Sequence, residues 1–154
     1  MSSRTILVLG HHARQDLAEA LRGIGVEPEV RGSVPGALER LRRGRLTAVL
    51  VDRRFIRADA LEFVLNVRDI EALVPVIVIG TAHDKGIDQQ ILQQNYTAVV
   101  DESRDMDLLS GELVRVLDLF EDPDHGEQNQ RVASGSSRAR ARMPRTRENA
   151  SGDA

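Results

Sequence analysis

Cysteine is absent from the 154 residues, which excludes a disulfide scaffold and any cysteine-ligated zinc or iron–sulfur site. Tryptophan is absent as well, and aromatics amount to 3%, so a core must be built from Val, Leu, Ile and Ala. Lys85 is the single lysine. Any role that needs an amine and not a guanidinium therefore falls to Lys85 or to the N-terminus. Long apolar runs are missing too. Ile6–Leu9 is well short of the ~7–15 residues of a signal-peptide core, and no segment approaches the ~18 of a membrane span. A protein of the bacterial cytoplasm is expected, with no membrane role. The net charge of −3 is too small to argue for nucleic acid. Neither a G-x-G-x-x-G turn nor a P-loop is present.

What is present is a regular alternation of two patterns. Short β-branched or aliphatic runs occur at Thr5–Leu9, Val26–Val30, Leu46–Val51, Val76–Ile79 and Thr97–Val100. Between them lie stretches with apolar residues at helical spacing: Leu17, Leu21 and Ile24; Leu38 and Leu41; Leu61, Val64 and Leu65; Ile87, Ile91 and Leu92; and, closing the series, Leu109, Leu113, Val116, Leu117 and Phe120. Ser33 is suited to cap the second helix, with Pro35 just inside its start. Arg68 interrupts the apolar stripe of the third. Strands alternating with single helices imply parallel pairing through right-handed crossovers. Strands this short and apolar on both sides suit a sheet covered on both faces. The fold class expected is α/β: a flavodoxin-like, doubly wound, five-stranded parallel sheet of order 2-1-3-4-5. Five βα units are too few for an eight-stranded barrel.

Composition shifts after Phe120. Residues 121–154 retain Val132 and Met143 as their large apolar residues and separate acids (Glu121, Asp122, Asp124, Glu127) from a run of arginines, Arg131 to Arg147. Such a segment cannot bury enough surface to offset its ordering entropy. The division expected is a domain of residues 1–120 and a disordered, charge-segregated tail of 121–154. The tail lacks aromatics for base stacking, so nucleic acid is not expected as its partner.

In open α/β sheets ligands bind beyond the carboxyl ends of the strands. That rim receives Gly10, His11 and His12 from strand one, Asp52 and then Arg53 from strand three, Gly80 and Thr81 from strand four, and Asp101 from strand five. Asp52 is the acid set directly against the end of a buried strand. The stretch AVLVDRRFIRADALEF, residues 48–63, resembles the response-regulator receiver domain of two-component signalling: four apolar residues, an Asp, and seven residues later a second Asp (Asp59) followed by Ala60, Leu61 and Glu62. The segment NVRDIEALVPVIVIGTAHD, residues 66–84, is similar to the receiver stretch that runs into Pro, four apolar residues and Thr-Ala. The likeness spans about residues 4–120.

The resemblance implies that Asp52 stands in the phosphoacceptor position. It also implies partners for it: an acidic pair after strand one to hold magnesium, which wants oxygen ligands; a Ser or Thr after strand four; and a lysine after strand five to cradle phosphoryl oxygens. This sequence departs from that set. Gly10, His11 and His12 stand for the acids, Gly80 or Thr81 for the hydroxyl, Ala98 for the switch aromatic, and Asp101 for the lysine. A cation lost from the site forfeits on the order of 3 kcal/mol of charge stabilisation. Asp101 would repel a phosphoryl group.

An atypical, or pseudo-, receiver is therefore expected: a stand-alone module of two-component or phosphorelay signal transduction that binds proteins, with weak or no phosphorylation at Asp52. The alternative is a working phosphorelay receiver phosphorylated on Asp52 by a histidine kinase. No enzyme is expected, since no nucleophile–base pair is evident and GHHARQD is not a flavin phosphate loop. No metal ligands and no cofactor are assigned, magnesium being the one the resemblance raises. Expected partners are a histidine kinase or a downstream signalling protein, with homodimerisation through residues 84–120, which correspond to the family's output face. Of Arg53 and Arg54, one is expected to pair with Asp52 or Asp101 and the other to be exposed.

Overall fold

The protein was described from a computed structural model, which places residues 4–11, 14–54, 59–80, 85–102 and 105–121, together with the backbone of 139–142. The elements in chain order are β1 (Arg4–Leu9), α1 (Gln15–Gly23), β2 (Val26–Arg31), α2 (Val34–Arg42), β3 (Ala48–Asp52), α3 (Ala60–Ile70), β4 (Val76–Ile79), α4 (Lys85–Gln93), β5 (Thr97–Val100), α5 (Met106–Glu121) and β6 (Ala139–Arg142). The first five strands are parallel in the order 2-1-3-4-5, as the alternation predicts. A sixth strand from the tail pairs antiparallel with β5 and extends the sheet, which sequence patterning did not anticipate. Its sequence, Ala-Arg-Ala-Arg, carries no apolar run; its place comes from main-chain pairing with an edge, which reads no side chain. The rest of the tail and the expected boundary at 120/121 involve residues outside those described, except that α5 runs one residue past it to Glu121.

Two apolar layers sandwich the sheet, and strand alternation sorts side chains between them. Ile6 and Val8 of β1 face the layer built with Leu17 and Leu21 of α1 and Leu109, Leu113, Val116 and Leu117 of α5. Leu7 and Leu9 face the opposite layer, with Ala37 and Leu41 of α2, Phe63, Val64 and Val67 of α3, and Ile91 of α4. Both faces being covered is why the strands read as continuous apolar runs.

Local chemistry at the start of α2 agrees with expectation. The Ser33 side chain accepts the Gly36 N–H at 3.1 Å, with Pro35 in the first turn of α2. Asp59 caps α3 by accepting the Glu62 N–H at 3.1 Å. Arg68, the break in the α3 stripe, has a structural cause: its guanidinium donates to the carbonyls of Asn95 (3.0 Å), Tyr96 (3.0 Å) and Glu71 (3.1 Å), tying α3 to the turn before β5. Burial pushes its pKa below the ordinary arginine value. In α4 the expected stripe is altered. Ile91 is buried, but Ile87 is exposed, and the inward position of the first turn belongs to Asp88. No helix among the described residues is long and apolar enough to cross a membrane.

Candidate functional site

Parallel register brings the strand ends to one rim. Leu9 pairs with Val51, Asp52 with Ile79 and Ile79 with Val100, so Gly10, Asp52, Gly80 and Asp101 follow one another across it. The two glycines answer to close approach. A Cβ on Gly10 would lie 3.3 Å from the Asp52 Cβ. Gly80 has φ of +98°, which disfavours a side chain, and a Cβ there would meet the Arg53 Cβ at 3.3 Å.

Asp52 is 2% exposed, and both of its carboxylate oxygens are engaged. Oδ1 accepts the Arg54 N–H at 3.1 Å. Oδ2 lies 3.2 Å from Nη1 of Arg14, the residue that precedes α1. The same Nη1 lies 3.3 Å from Glu102 Oε1, after β5. Arg14 thus bridges carboxylates from two strand ends. Its Nε contacts Asp16 Oδ1 at 3.3 Å, and Asp16 also accepts the Leu17 N–H at 2.8 Å, which fixes the arginine's approach. Burial works against the Arg14 charge, but the facing Asp52 and Glu102 outweigh it and hold its pKa above the usual value. Glu102 Oε2 is buried and has no hydrogen-bond partner among the described residues.

Arg53 does not pair with Asp52 or Asp101, contrary to expectation. Its Nη1 donates to the Gly80 carbonyl at 3.0 Å and sits 2.6 Å from Asp88 Oδ1 in α4. Asp88 lies a turn into α4 and faces inward, so it reaches Arg53 ahead of the rim acids. The Arg54 side chain is largely exposed, with a loose 3.9 Å contact to Glu102, while its main chain serves Asp52.

The rim foreseen from sequence is thus assembled in part. Gly10, Asp52, Arg53 and Gly80 come together, with an exposed His11 and a half-buried Asp101 beside them. His12 and Thr81 lie outside the described residues. The cation that faces Asp52, Arg14, was missed. It lies in a polar stretch before a helix, and no short motif marks it; only the crossing of α1 over the sheet puts its guanidinium over Asp52. Asp88 was missed because it occupies one position of an otherwise ordinary helical pattern.

Among solved structures, a CheY-like receiver domain protein from Methanospirillum hungatei superposes with a TM-score of 0.65 at 15% identity, covering 78% of this chain and 98% of that one. A response regulator from Thermotoga maritima gives a TM-score of 0.63 at 18% identity, covering 76% and 99%. The chain has the fold of a response-regulator receiver domain. The receiver domain of the sensor histidine kinase PA1611 from Pseudomonas aeruginosa, described with a magnesium ion coordinated in its active-site cleft, gives 0.59 at 21% identity, covering 75% and 98%. No protein-family model matches the sequence, and no curated protein matches it.

Proposed function

We propose that the chain is a receiver-fold signalling module of two-component signal transduction that works in the bacterial cytoplasm by binding other proteins, without metal-assisted phosphorylation of Asp52. The observation that carries this reading is the 3.2 Å contact between Arg14 Nη1 and the buried Asp52 Oδ2. A guanidinium supplies beside the acceptor the positive charge that a divalent ion supplies in a metal-dependent receiver. The residues present do not fit magnesium, which needs near-octahedral oxygen ligands and keeps several waters. Gly10 and His11 offer no carboxylate, Asp52 Oδ2 and Glu102 Oε1 are turned to Arg14, and Asp52 Oδ1 is taken by the Arg54 N–H. A tethered cation costs no ligand-binding entropy and cannot be removed by chelation.

The size of one cavity at this rim favours a binding module over a small-ligand site. The cavity beside Gly10, His11, Arg14 and Asp52 measures about 10 Å³, room for about one water, where ligand pockets run to ~300–1,000 Å³. Binding partners would be a histidine kinase or a downstream signalling protein, through the face formed by α4, β5 and α5.

The test is incubation with a small-molecule phosphodonor, with and without magnesium, followed by intact-mass measurement. No adduct is expected under either condition. A magnesium-dependent phosphoryl adduct on Asp52 would overturn the reading and establish a phosphorelay receiver.

A further inference from the structure

The end of the parallel sheet is where this chain differs most in plan from five parallel strands. β5 is buried on both faces, with Thr97, Ala98 and Val100 fully covered and Val99 nearly so. Its outer edge, however, would carry unpaired N–H and C=O groups, a template for any extended segment. Tyr96 and Val100 turn their carbonyls towards β4, accepting the Val76 N–H at 2.9 Å and the Gly80 N–H at 2.7 Å. By strand alternation, Thr97 and Val99 turn theirs outwards. The antiparallel register sets Arg142 opposite Thr97 and Arg140 opposite Val99. These are therefore the hydrogen-bonded pairs of the ladder, and the Ala141–Ala98 pair between them is the non-bonded one.

We propose that residues 139–142 are a built-in cap: they dock on the β5 edge in cis and withhold it from a second copy of the chain. The chain's path supports this. α5 ends at Glu121, whose carboxylate lies 3.0 Å from Arg4 at the start of β1, on the amino-terminal rim. β6 begins opposite Val100, at the carboxyl rim, one height of β5 away, about 13 Å for four residues. An extended chain of the length between them reaches more than ~50 Å, which exceeds that separation. Tethering also gives the cap an effective concentration in the millimolar range, which a second copy at micromolar concentration does not match. Four residues of pairing are few, so the cap is displaceable. α4 and α5 lie to either side of β6, so the capped edge is the centre of the proposed binding face. The inference takes from the preceding reading only that this face binds protein; its geometry and its test are independent of Asp52.

The test uses the full-length chain, labelled for amide exchange by NMR, with two proline variants. Arg140→Pro removes an N–H that the ladder uses, whereas Ala141→Pro removes one pointing away from β5, which an edge strand tolerates. In the wild type, Thr97 and Val99 amides should be protected. Arg140→Pro should speed their exchange at least tenfold, leave Val49 and Val51 in the core unchanged, and show concentration-dependent association in sedimentation from micromolar to millimolar. Ala141→Pro should behave as wild type. Equal exchange of Thr97 and Val99 in wild type and Arg140→Pro overturns the cap. Loss of protection in both variants overturns the register. An opened edge that stays monomeric at millimolar concentration overturns its role against self-association. A phosphoryl adduct on Asp52 would sink the earlier reading and leave these three readouts untouched.

Discussion

Arg53 Nη1 stands 2.6 Å from Asp88 Oδ1, with both side chains largely buried, and so joins the residue following Asp52 to the first turn of α4. The same nitrogen holds the Gly80 carbonyl at 3.0 Å, so the ends of β3 and β4 and the helix beyond them share one cation. Removing one member of a buried pair strands the other. Asp88→Leu should therefore destabilise the fold by about 3 kcal/mol, while adding Arg53→Met to it should recover most of that. Urea titration of the two single variants and the double variant gives the coupling. Additive effects would show that the contact carries no weight.

Arg14→Ala leaves Asp52 and Glu102 without their shared counter-charge. A loss of about 2 kcal/mol is expected, and Asp52→Asn in the Arg14→Ala background should restore part of it, because the buried negative charge is then gone. Thermal melts of the four members of this cycle check it. A null coupling between Arg14 and Asp52 would remove the observation on which the proposed function stands.

Arg68→Leu completes the apolar stripe of α3 and on patterning alone should stabilise it. The opposite is expected: three carbonyls lose their donor, at about 1 kcal/mol each. The variant should unfold at lower denaturant than wild type, and Arg68→Lys, which cannot fork to three carbonyls, should rescue little.

Glu29 accepts a close charge-assisted hydrogen bond from Arg40, which holds its pKa below the ordinary glutamate value against the effect of burial. A carboxylate with a depressed folded-state pKa stabilises above its unfolded pKa and loses that stabilisation as pH falls through the folded one. The chain should lose stability on acidification below about pH 4.5, and Glu29→Gln should flatten that part of the profile while remaining neutral in effect on its slope above pH 6. Denaturant midpoints measured from pH 7 down to pH 3 provide the comparison.

Gly80→Ala should destabilise by about 1–3 kcal/mol, since φ of +98° is closed to a side chain and the new methyl meets the Arg53 stem. Gly10 has no positive φ, and a methyl there meets the Asp52 Cβ at 3.3 Å and Val8 Cγ1 at 3.5 Å, so the cost of Gly10→Ala should be the smaller of the two. A reversal of that order in thermal melts would show that contact, not conformation, governs the rim.

The element order, the parallel sheet and the position of Asp52 were legible because each rests on local periodicity. A strand apolar on both faces, a helix with one apolar stripe and an acid at a strand's end are written within windows of a few residues. Ser33 and Pro35 announced α2 for the same reason: capping is decided within one turn. What acts on Asp52 was not written locally. Arg14 is one arginine among many in the sequence, and its meaning comes from the crossover that lays the start of α1 against the ends of β3 and β5. Asp88 and Arg68 look like faults in amphipathic stripes until the tertiary structure brings Arg53 to one and the carbonyls of residues 71, 95 and 96 to the other. The strand at 139–142 was hidden because main-chain pairing selects an open edge and a suitable tether and needs no side-chain pattern. The sequence by itself determined the layers and the place of Asp52 at a strand's end, through short-range hydrophobic periodicity. Only the tertiary structure decided which charge faces Asp52 and what covers β5, because both depend on contacts between segments distant in the chain.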